Sequence, residues 1–377
     1  MSSLTGKSLF IKGSDLADTV AIHPAIIYET KRLNVPILVV TSAGKSGISL
    51  GYFQDVDTEV NLEEARKRDV EVIRRLGVGG GTIYSSKGSS MALFMTFPKD
   101  FFTSMDKAFC QIGSATVHAY YKLGVKGAWY DHIGDVRVGS PRAHKKITGF
   151  GFATVEEILI LNMVIGVGKL NFEEMASVIK IPPEKFMDKT AKSVQEYVTS
   201  VEEETGRKPS DEEVYDAFKS SLEETLKIKL DSHEFSDQAK DIWKKYKDIA
   251  KSDQNLYLRS SAKRFSNIPK GYSLGFSRYK ARKLIVTHLL TDGKEIKDVM
   301  ISGDFYCSPG EYLFELEQKL RGMSIEDKEK ILATINEIFS RKNFEMPSVK
   351  AEDILESISR AIEDAKKETL APHYLKK

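Results

Sequence analysis

Arg74-Arg75-Leu76-Gly77-Val78-Gly79-Gly80-Gly81-Thr82-Ile83-Tyr84 places two adjacent arginines ahead of three consecutive glycines and a short β-type run. Glycines have no side chains to pack and weaken the interior of either a helix or a strand, so this stretch predicts a loop with positive φ or close backbone approach. Bare N–H groups in such a loop can turn toward an anion, and a nearby guanidinium adds planar, multidentate donors. A hairpin turn with the arginines as solvated charge fits the same residues, and the stretch alone does not choose between the two. No Gly-Lys-Ser/Thr follows, so it is not a Walker loop, and it lacks the G-x-G-x-x-G of a dinucleotide fold. Upstream, Gly44-Lys45-Ser46 has the Walker ending, but Val39 stands where the first glycine of that motif belongs.

Outward from the loop, Asn61 to Leu76 reads as a helix that delivers the arginines, with Asn61 as cap, Glu64 in the box position and Val70, Ile73 and Leu76 as a stripe. Beyond the loop, Thr82-Ile83-Tyr84 and Met91 to Phe97 read as two strands of one hairpin around Ser85 to Ser90. A helix beginning near Pro24, a buried strand over Val35–Val40 and a second over Ser49–Phe53 precede them. Lys99 to Leu123 reads as a long helix in which Cys110 is a buried, inert thiol. Strands follow over Val125–Asp131, Gly134–Val138 and Lys145–Ala153, and the mostly apolar Ile158–Val167 suits a central strand covered on both faces. Asn171 with Glu174 opens a helix, and Pro182-Pro183 starts another element.

From about Thr190 to Lys251 the chain turns to Lys/Glu-rich amphipathic helices, one opening at Ser210 with Glu213 in the box position. Asp253 to Lys270 is polar and irregular. Strands then resume over Leu284–Leu290 and Val299–Phe305 about a turn at Thr291-Asp292-Gly293-Lys294, and helices from Pro309, Ser324 and Lys350 close the chain.

Length bounds the problem: 377 residues, 41% of them hydrophobic, suffice for two packed domains. Lys+Arg and Asp+Glu number 56 and 54, a net charge of only +2, which disfavours nucleic acid as the main partner. The two cysteines, Cys110 and Cys307, exclude a disulfide framework and a four-cysteine zinc site. The longest mostly apolar run, Ile158–Val167, is about half of the ~20 residues a membrane span requires. A cytoplasmic monomer with no membrane association is expected.

Taken in order, several blocks resemble the lipoate-protein ligase family. Ser49-Leu50-Gly51-Tyr52-Phe53-Gln54 followed by Glu59-Val60-Asn61 is similar to its strand motif, and Arg74-Arg75 through Gly79-Gly80-Gly81-Thr82-Ile83-Tyr84 resembles its Arg-Arg-x-Ser/Thr-Gly-Gly-Gly signature. Asp135-Val136 and Lys146-Ile147-Thr148-Gly149 resemble the downstream Asp and Lys-x-x-Gly blocks. Gly293-Lys294, Ile301 to Tyr306 and Leu316-Glu317 resemble its accessory domain. The departures are one extra residue before the glycines, Val78 in place of Ser or Thr, Ser85-Ser86 in place of His-Asp, Ser89 in place of Asn, and Phe150 and Phe152 around Gly151.

The resemblance implies an α+β fold: a mixed-sheet, biotin/lipoate-ligase-like catalytic domain over 1–255 (core to about 185, helical extension 186–255), a linker over 256–270, and a smaller α+β accessory domain over 271–377. It implies an enzyme that activates lipoate with ATP and Mg²⁺ to lipoyl-AMP, releases pyrophosphate, and passes the lipoyl group to a lysine of a lipoyl-carrier protein or domain, such as a glycine-cleavage H-type protein or a 2-oxoacid dehydrogenase subunit. On that resemblance Lys146 is the electrostatic catalyst. Arg74, Arg75, Gly79, Gly80, Gly81, Thr82, Ile83, Tyr84, Lys146 and Asp135 bind the nucleotide and acyl-adenylate, and Asp135 is the one candidate Mg²⁺ ligand, although a strand-end turn residue would look the same. The alternatives are an octanoyl- or lipoyl-transferase of the same fold, which works without ATP through a cysteine nucleophile, and a non-catalytic lipoyl-binding module.

Overall fold

The computed structural model describes residues 4–131, 134–180 and 194–368. The Pro182-Pro183 element lies outside the described residues. The fold is α+β. Its strands are β1 (Leu4–Ser14), β2 (Ile37–Ala43), β3 (Gly47–Leu50), β4 (Glu71–Arg74), β5 (Ile83–Ser85), β6 (Ser90–Phe97), β7 (Ala128–Asp131), β8 (Asp135–Ser140), β9 (Ala143–Val155), β10 (Ile158–Gly166), β11 (Ile228–Ser232), β12 (Ser273–Lys280), β13 (Leu284–Thr291) and β14 (Ile296–Gly303).

A mixed sheet in the order β11-β1-β2-β6-β10-β9-β8-β7 carries the molecule. β1 runs parallel to β11 and β2, and the remaining neighbours are antiparallel. Side chains alternate across it as the pleat requires. Leu38, Val40, Leu93, Met95, Leu161 and Met163 face the helices Met105–Lys122 and Asp211–Leu226 through Ile112, Tyr120, Val214 and Phe218. Ile37, Val39 and Phe94 face the helix His23–Leu33 through Ile22, Ala25 and Ile26. Burying each of these large apolar side chains contributes roughly 1.5–3 kcal/mol, so the two faces together fix the register. Caps stop and start the helices where the sequence indicates: Asn171 accepts from the Glu174 N–H, and Ser210 with Glu213 forms a complete capping box.

Several expectations are corrected. Residues 61–76 are not one helix: Leu62–Lys67 is helical, Asp69 turns left-handed at φ 51°, and β4 carries the arginines to the loop. Val70, Ile73 and Leu76 are spaced for a helical stripe, but Val70 to Ile73 equally suits a short strand, and the parallel partner β3 supplies the pairing. The residues on either side of Ser85–Ser90 do not form one hairpin, because β5 pairs with β3 in a separate sheet β4-β3-β5 whereas β6 enters the main sheet. The helix expected from Lys99 begins at Met105. β1, β11 and β12 went unread. Lysines and glycines interrupt β1, and β11 lies in a segment whose surroundings are helical, so alternation was too short to register.

In the C-terminal segment, β12-β13-β14 packs against the helices Glu311–Leu320, Lys328–Phe339 and Ala351–Glu368, with Leu289, Ile301, Leu316, Ile335, Ile354 and Ile358 in its core. Phe53, from the loop after β3, is part of that same core, stacked on Phe305 at 5.6 Å. The polar stretch from Asp253 is not irregular: it holds the helical turns Asp253–Leu256 and Ser261–Arg264. Arg259, 1% exposed, pairs there with Glu317. No helix among the described residues is long and apolar enough to cross a membrane.

His288 on β13 gives the fold a pH dependence. Burial, then the charges of Arg278 and Arg259, outweigh Asp57 and pull it down from 6.5 to about 4, with Phe265 and Phe276 packed on its ring. A group depressed in the folded state binds protons more tightly when unfolded, so the stability it contributes is complete above pH 6.5 and is lost as pH falls toward 4, by about 3 kcal/mol in all. Denaturant unfolding from pH 7 to pH 4 should show that decline, and His288→Gln should flatten it.

Candidate functional site

A cavity of about 730 Å³ lies on the face of the main sheet that the helix His23–Leu33 covers, under the glycine segment. The register defines its floor. Thr41, Ala92, Val164, Gly149 and Asp135 sit side by side on β2, β6, β10, β9 and β8, and the next row holds Val39, Phe94, Asn162 and Gly151. Small residues in the first row make a trench across the strands. Leu16, Val20, His23 and Phe94 line one end, and Asp135, Lys146, Ser85, Ser89, Ser90 and Glu203 bring polar groups to the other parts.

Lys146 reaches the trench because of two backbone features. The pairing of β8 with β9 slips between Val136 and Arg137, a bulge that re-aims the strand at Ile147, and Gly149 has no side chain where the Lys146 ammonium comes to rest. A Cβ at Gly149 would stand 2.5 Å from Nζ. The ammonium lies 2.6 Å from Asp135 Oδ1, Arg137 Nη2 donates to Asp135 Oδ2 at 3.0 Å, and Arg137 Nε donates to Asp131 Oδ2 at 2.8 Å. Two cations and two carboxylates therefore alternate along the edge of the site. Both oxygens of Asp135 are committed to cations, and among the described residues no group of three His, Cys, Asp or Glu could hold a metal ion. The described residues alone therefore supply no complete metal cage, and a Mg²⁺ here would depend on ligand oxygens and water for most of its shell.

The arginines divide. Arg74 is wholly buried, and its guanidinium donates to the carbonyls of Gly51, Tyr52, Gln54, Asn255, Leu256 and Arg259. It does not line the cavity. Burial and the neighbouring Arg259 pull it down to about 9, still charged at neutral pH. Its task is to tie the loop after β3 to the segment around Asn255. Arg75 does line the cavity. Its donors serve the carbonyls of Ser49, Val78, Gly79 and Gly81 and the Ser49 hydroxyl, and burial pulls it down to about 10.

That saturation orients the loop. In a planar trans peptide the N–H points opposite to the C=O. With the carbonyls of Val78, Gly79 and Gly81 drawn toward Arg75, the N–H groups of Gly79, Gly80 and Thr82 therefore point away from it. The Gly80 N–H donates to the Phe305 carbonyl at 3.0 Å, and those of Gly79 and Thr82 have no partner among the described residues. Gly80 needs its φ of 89°, and a side chain at Gly79 would strike the Phe305 carbonyl. The C-terminal segment thus rests directly on the loop. Thr82 donates to Glu59 at 2.9 Å, Ile83 is 37% exposed at the cavity wall, and Tyr84 hydrogen-bonds Glu174, with burial pushing its hydroxyl up.

Two cavity residues were missed in the sequence. His23 Nε2 is hydrogen-bonded to Asn162 Oδ1, its Nδ1 lies 3.4 Å from the Val20 carbonyl, and its ring meets Phe94 edge-on at 4.7 Å. Burial pulls His23 down, which keeps the ring neutral. The one available signal was an asparagine inside the otherwise apolar run Ile158–Val167.

Residues 15–223 match the family model of the lipoyl protein ligase A/B catalytic domain. The chain belongs to the lipoyl protein ligase A/B family. An octanoyltransferase LipM of Oceanobacillus iheyensis is 23% identical over 254 residues, which is 63% of this chain and 90% of that protein. Subunit 1 of lipoate-protein ligase A from Thermoplasma acidophilum is 30% identical over 220 residues, 56% of this chain and 79% of its own, and subunit 2 is 38% identical over 81 residues, 21% and 82%. One chain here carries stretches similar to both. Among solved structures, P. falciparum LipL1 in complex with lipoate superposes with a TM-score of 0.63 at 15% identity, over 94% of this chain and 98% of that one. The bipartite archaeal ligase described with its E2 lipoyl domain gives 0.58 at 24% identity over 68% and 97%, and a lipoate-protein ligase A bound with ATP gives 0.55 at 22% over 68% and 100%. The lipoate-ligase fold inferred from the ordered motifs is therefore the fold of the molecule, and the family is one of lipoate ligases and acyltransferases.

Proposed function

We propose that the protein is an ATP-dependent lipoate-protein ligase. The observation that carries this reading is the pairing of a cationic cleft with the absence of a thiol from it. Lys146 stands in the trench, whereas Cys110 lies on the helix Met105–Lys122, exposed and not buried as expected, and Cys307 is buried in the C-terminal core, its thiol pushed up to about 12 by burial. A transferase that forms an acyl-enzyme needs a reactive thiolate at the acyl carbon.

In the first step a carboxylate oxygen of lipoate attacks the α-phosphorus of ATP, and the bond to the bridging oxygen breaks to release pyrophosphate. Charge accumulates on the phosphoryl oxygens, and the Lys146 ammonium, held by Asp135 over Gly149, is positioned to bridge the carboxylate and the α-phosphate. The N–H groups of Gly79 and Thr82, without a partner among the described residues, are suited to the phosphate oxygens, and Arg75 acts by holding back the carbonyls of the same peptides, those of Val78 and Gly81. In the second step the amine of an acceptor lysine attacks the acyl carbon, AMP leaves with the bonding pair, and the amine loses a proton. Mg²⁺ would enter with the nucleotide and neutralise phosphate charge. Residues 271–377 form the accessory domain of this reading, and its Phe305 carbonyl on Gly80 orders the loop for the first step.

The 23% identity with an octanoyltransferase over 90% of that protein's length favours a second reading, acyl transfer from a carrier without ATP. The two are separated by supplying lipoate with ATP, or an octanoyl carrier protein without it, to an apo-lipoyl domain. Acylation in the first arm supports the ligase, and acylation in the second alone removes it.

A further inference from the structure

Asn162 is a polar residue in the apolar end of the trench, among His23, Phe94, Val20 and Val164. It stays there because His23 holds it. A neutral imidazole has one N–H, so it serves either Asn162 or the Val20 carbonyl. If Nε2 donates, Asn162 keeps both amide N–H groups; if Nδ1 donates to Val20, the amide turns over, gives one N–H to Nε2 and keeps the other. In both arrangements at least one amide N–H has no partner among the described residues. Opposite it on β9, Gly151 leaves open space, with none of the described residues within 4 Å of where a Cβ would stand.

The distance to the reacting end is set by the sheet. The Lys146 ammonium rests over Gly149, Gly151 lies two residues further along the same face, and Asn162 is one strand across, which together span about 8 Å. An acyl chain whose carboxylate is at Lys146 therefore brings its far end to Asn162.

From this we propose that Asn162, held by His23, is a specificity-determining residue that makes the cleft favour an acyl chain ending in a sulfur-bearing, hydrogen-bond-accepting ring over a saturated chain of the same length. The inference rests on the acyl-binding part of the ligase reading. A hydrocarbon tail strips water from the amide N–H and returns nothing, whereas a ring sulfur, a weak acceptor, takes part of its hydrogen bond. Sites that hydrogen-bond a substrate discriminate against the analogue that lacks the partner group.

The test is direct binding of lipoate and octanoate to the full chain by calorimetry, without ATP. The wild type should bind lipoate on the order of tenfold more tightly. Asn162→Leu should bring the ratio close to one, chiefly by tightening octanoate, and Asn162→Ala, which cannot clash, should also collapse it if the leucine variant folds poorly. A ratio unchanged in both variants, a wild-type preference for octanoate, or binding of neither acid would overturn the proposal. Failure of ATP-dependent acylation with the ratio still collapsing would remove only the ligase reading.

Discussion

Lys146→Ala should lower the rate of lipoyl-adenylate formation by about 10²–10³-fold, the loss found when one preorganised electrostatic donor is taken from a reacting centre. The side chain is partly exposed and Asp135 keeps its hydrogen bond from Arg137, so unfolding temperature and circular dichroism should change little. Lys146→Arg should restore only part of the rate, because a planar, delocalised guanidinium does not reproduce the compact charge of the ammonium. ATP–pyrophosphate exchange in the presence of lipoate reads the first step alone. Full exchange activity in the alanine variant would remove Lys146 from its role.

The second large effect is on the joint between the C-terminal segment and the rest. Glu317, 2% exposed, receives both terminal nitrogens of Arg259, Arg264 Nη1 at 2.8 Å and the Ile301 N–H at 2.7 Å. Arg264 also binds Asp298 through two nitrogens at 2.9 and 2.7 Å, and Arg259 lies over the Phe314 ring at 5.1 Å. Glu317→Ala would leave a buried guanidinium without its counter-charge. Breaking such a pair by removing one partner costs about 3–5 kcal/mol. Denaturant unfolding should register a loss of that size, whereas Glu315→Ala, which breaks the more exposed pair with Arg341, should cost far less. Equal losses from the two substitutions would contradict the special place given to Glu317.

Much of the fold was legible in local sequence because its strands are apolar and its helices are capped, as at Asn171 and Ser210. What was misread had no local signature. Val70, Ile73 and Leu76 suit helix and strand alike until β3 is known to lie beside them, and β11 is recognisable only from its parallel pairing with β1 more than two hundred residues away. The site shows the same division. Lys146, Asp135 and the glycines were found by motif and meet at the cavity, but nothing in the motif distinguishes Arg74, which holds backbone carbonyls of distant segments, from Arg75, which shapes the loop. His23 and Asn162 belong to no motif, since a helix start and a central strand bring them together from 139 residues apart.

The most direct measurement is a single incubation of the protein with lipoate, ATP and an apo-lipoyl domain, following pyrophosphate and acylated lysine together. Pyrophosphate release accompanied by a lipoyl-lysine adduct, both lost when ATP is omitted, is the predicted result. Acylation that proceeds from an acyl carrier protein without ATP, and no pyrophosphate from lipoate and ATP, would contradict it.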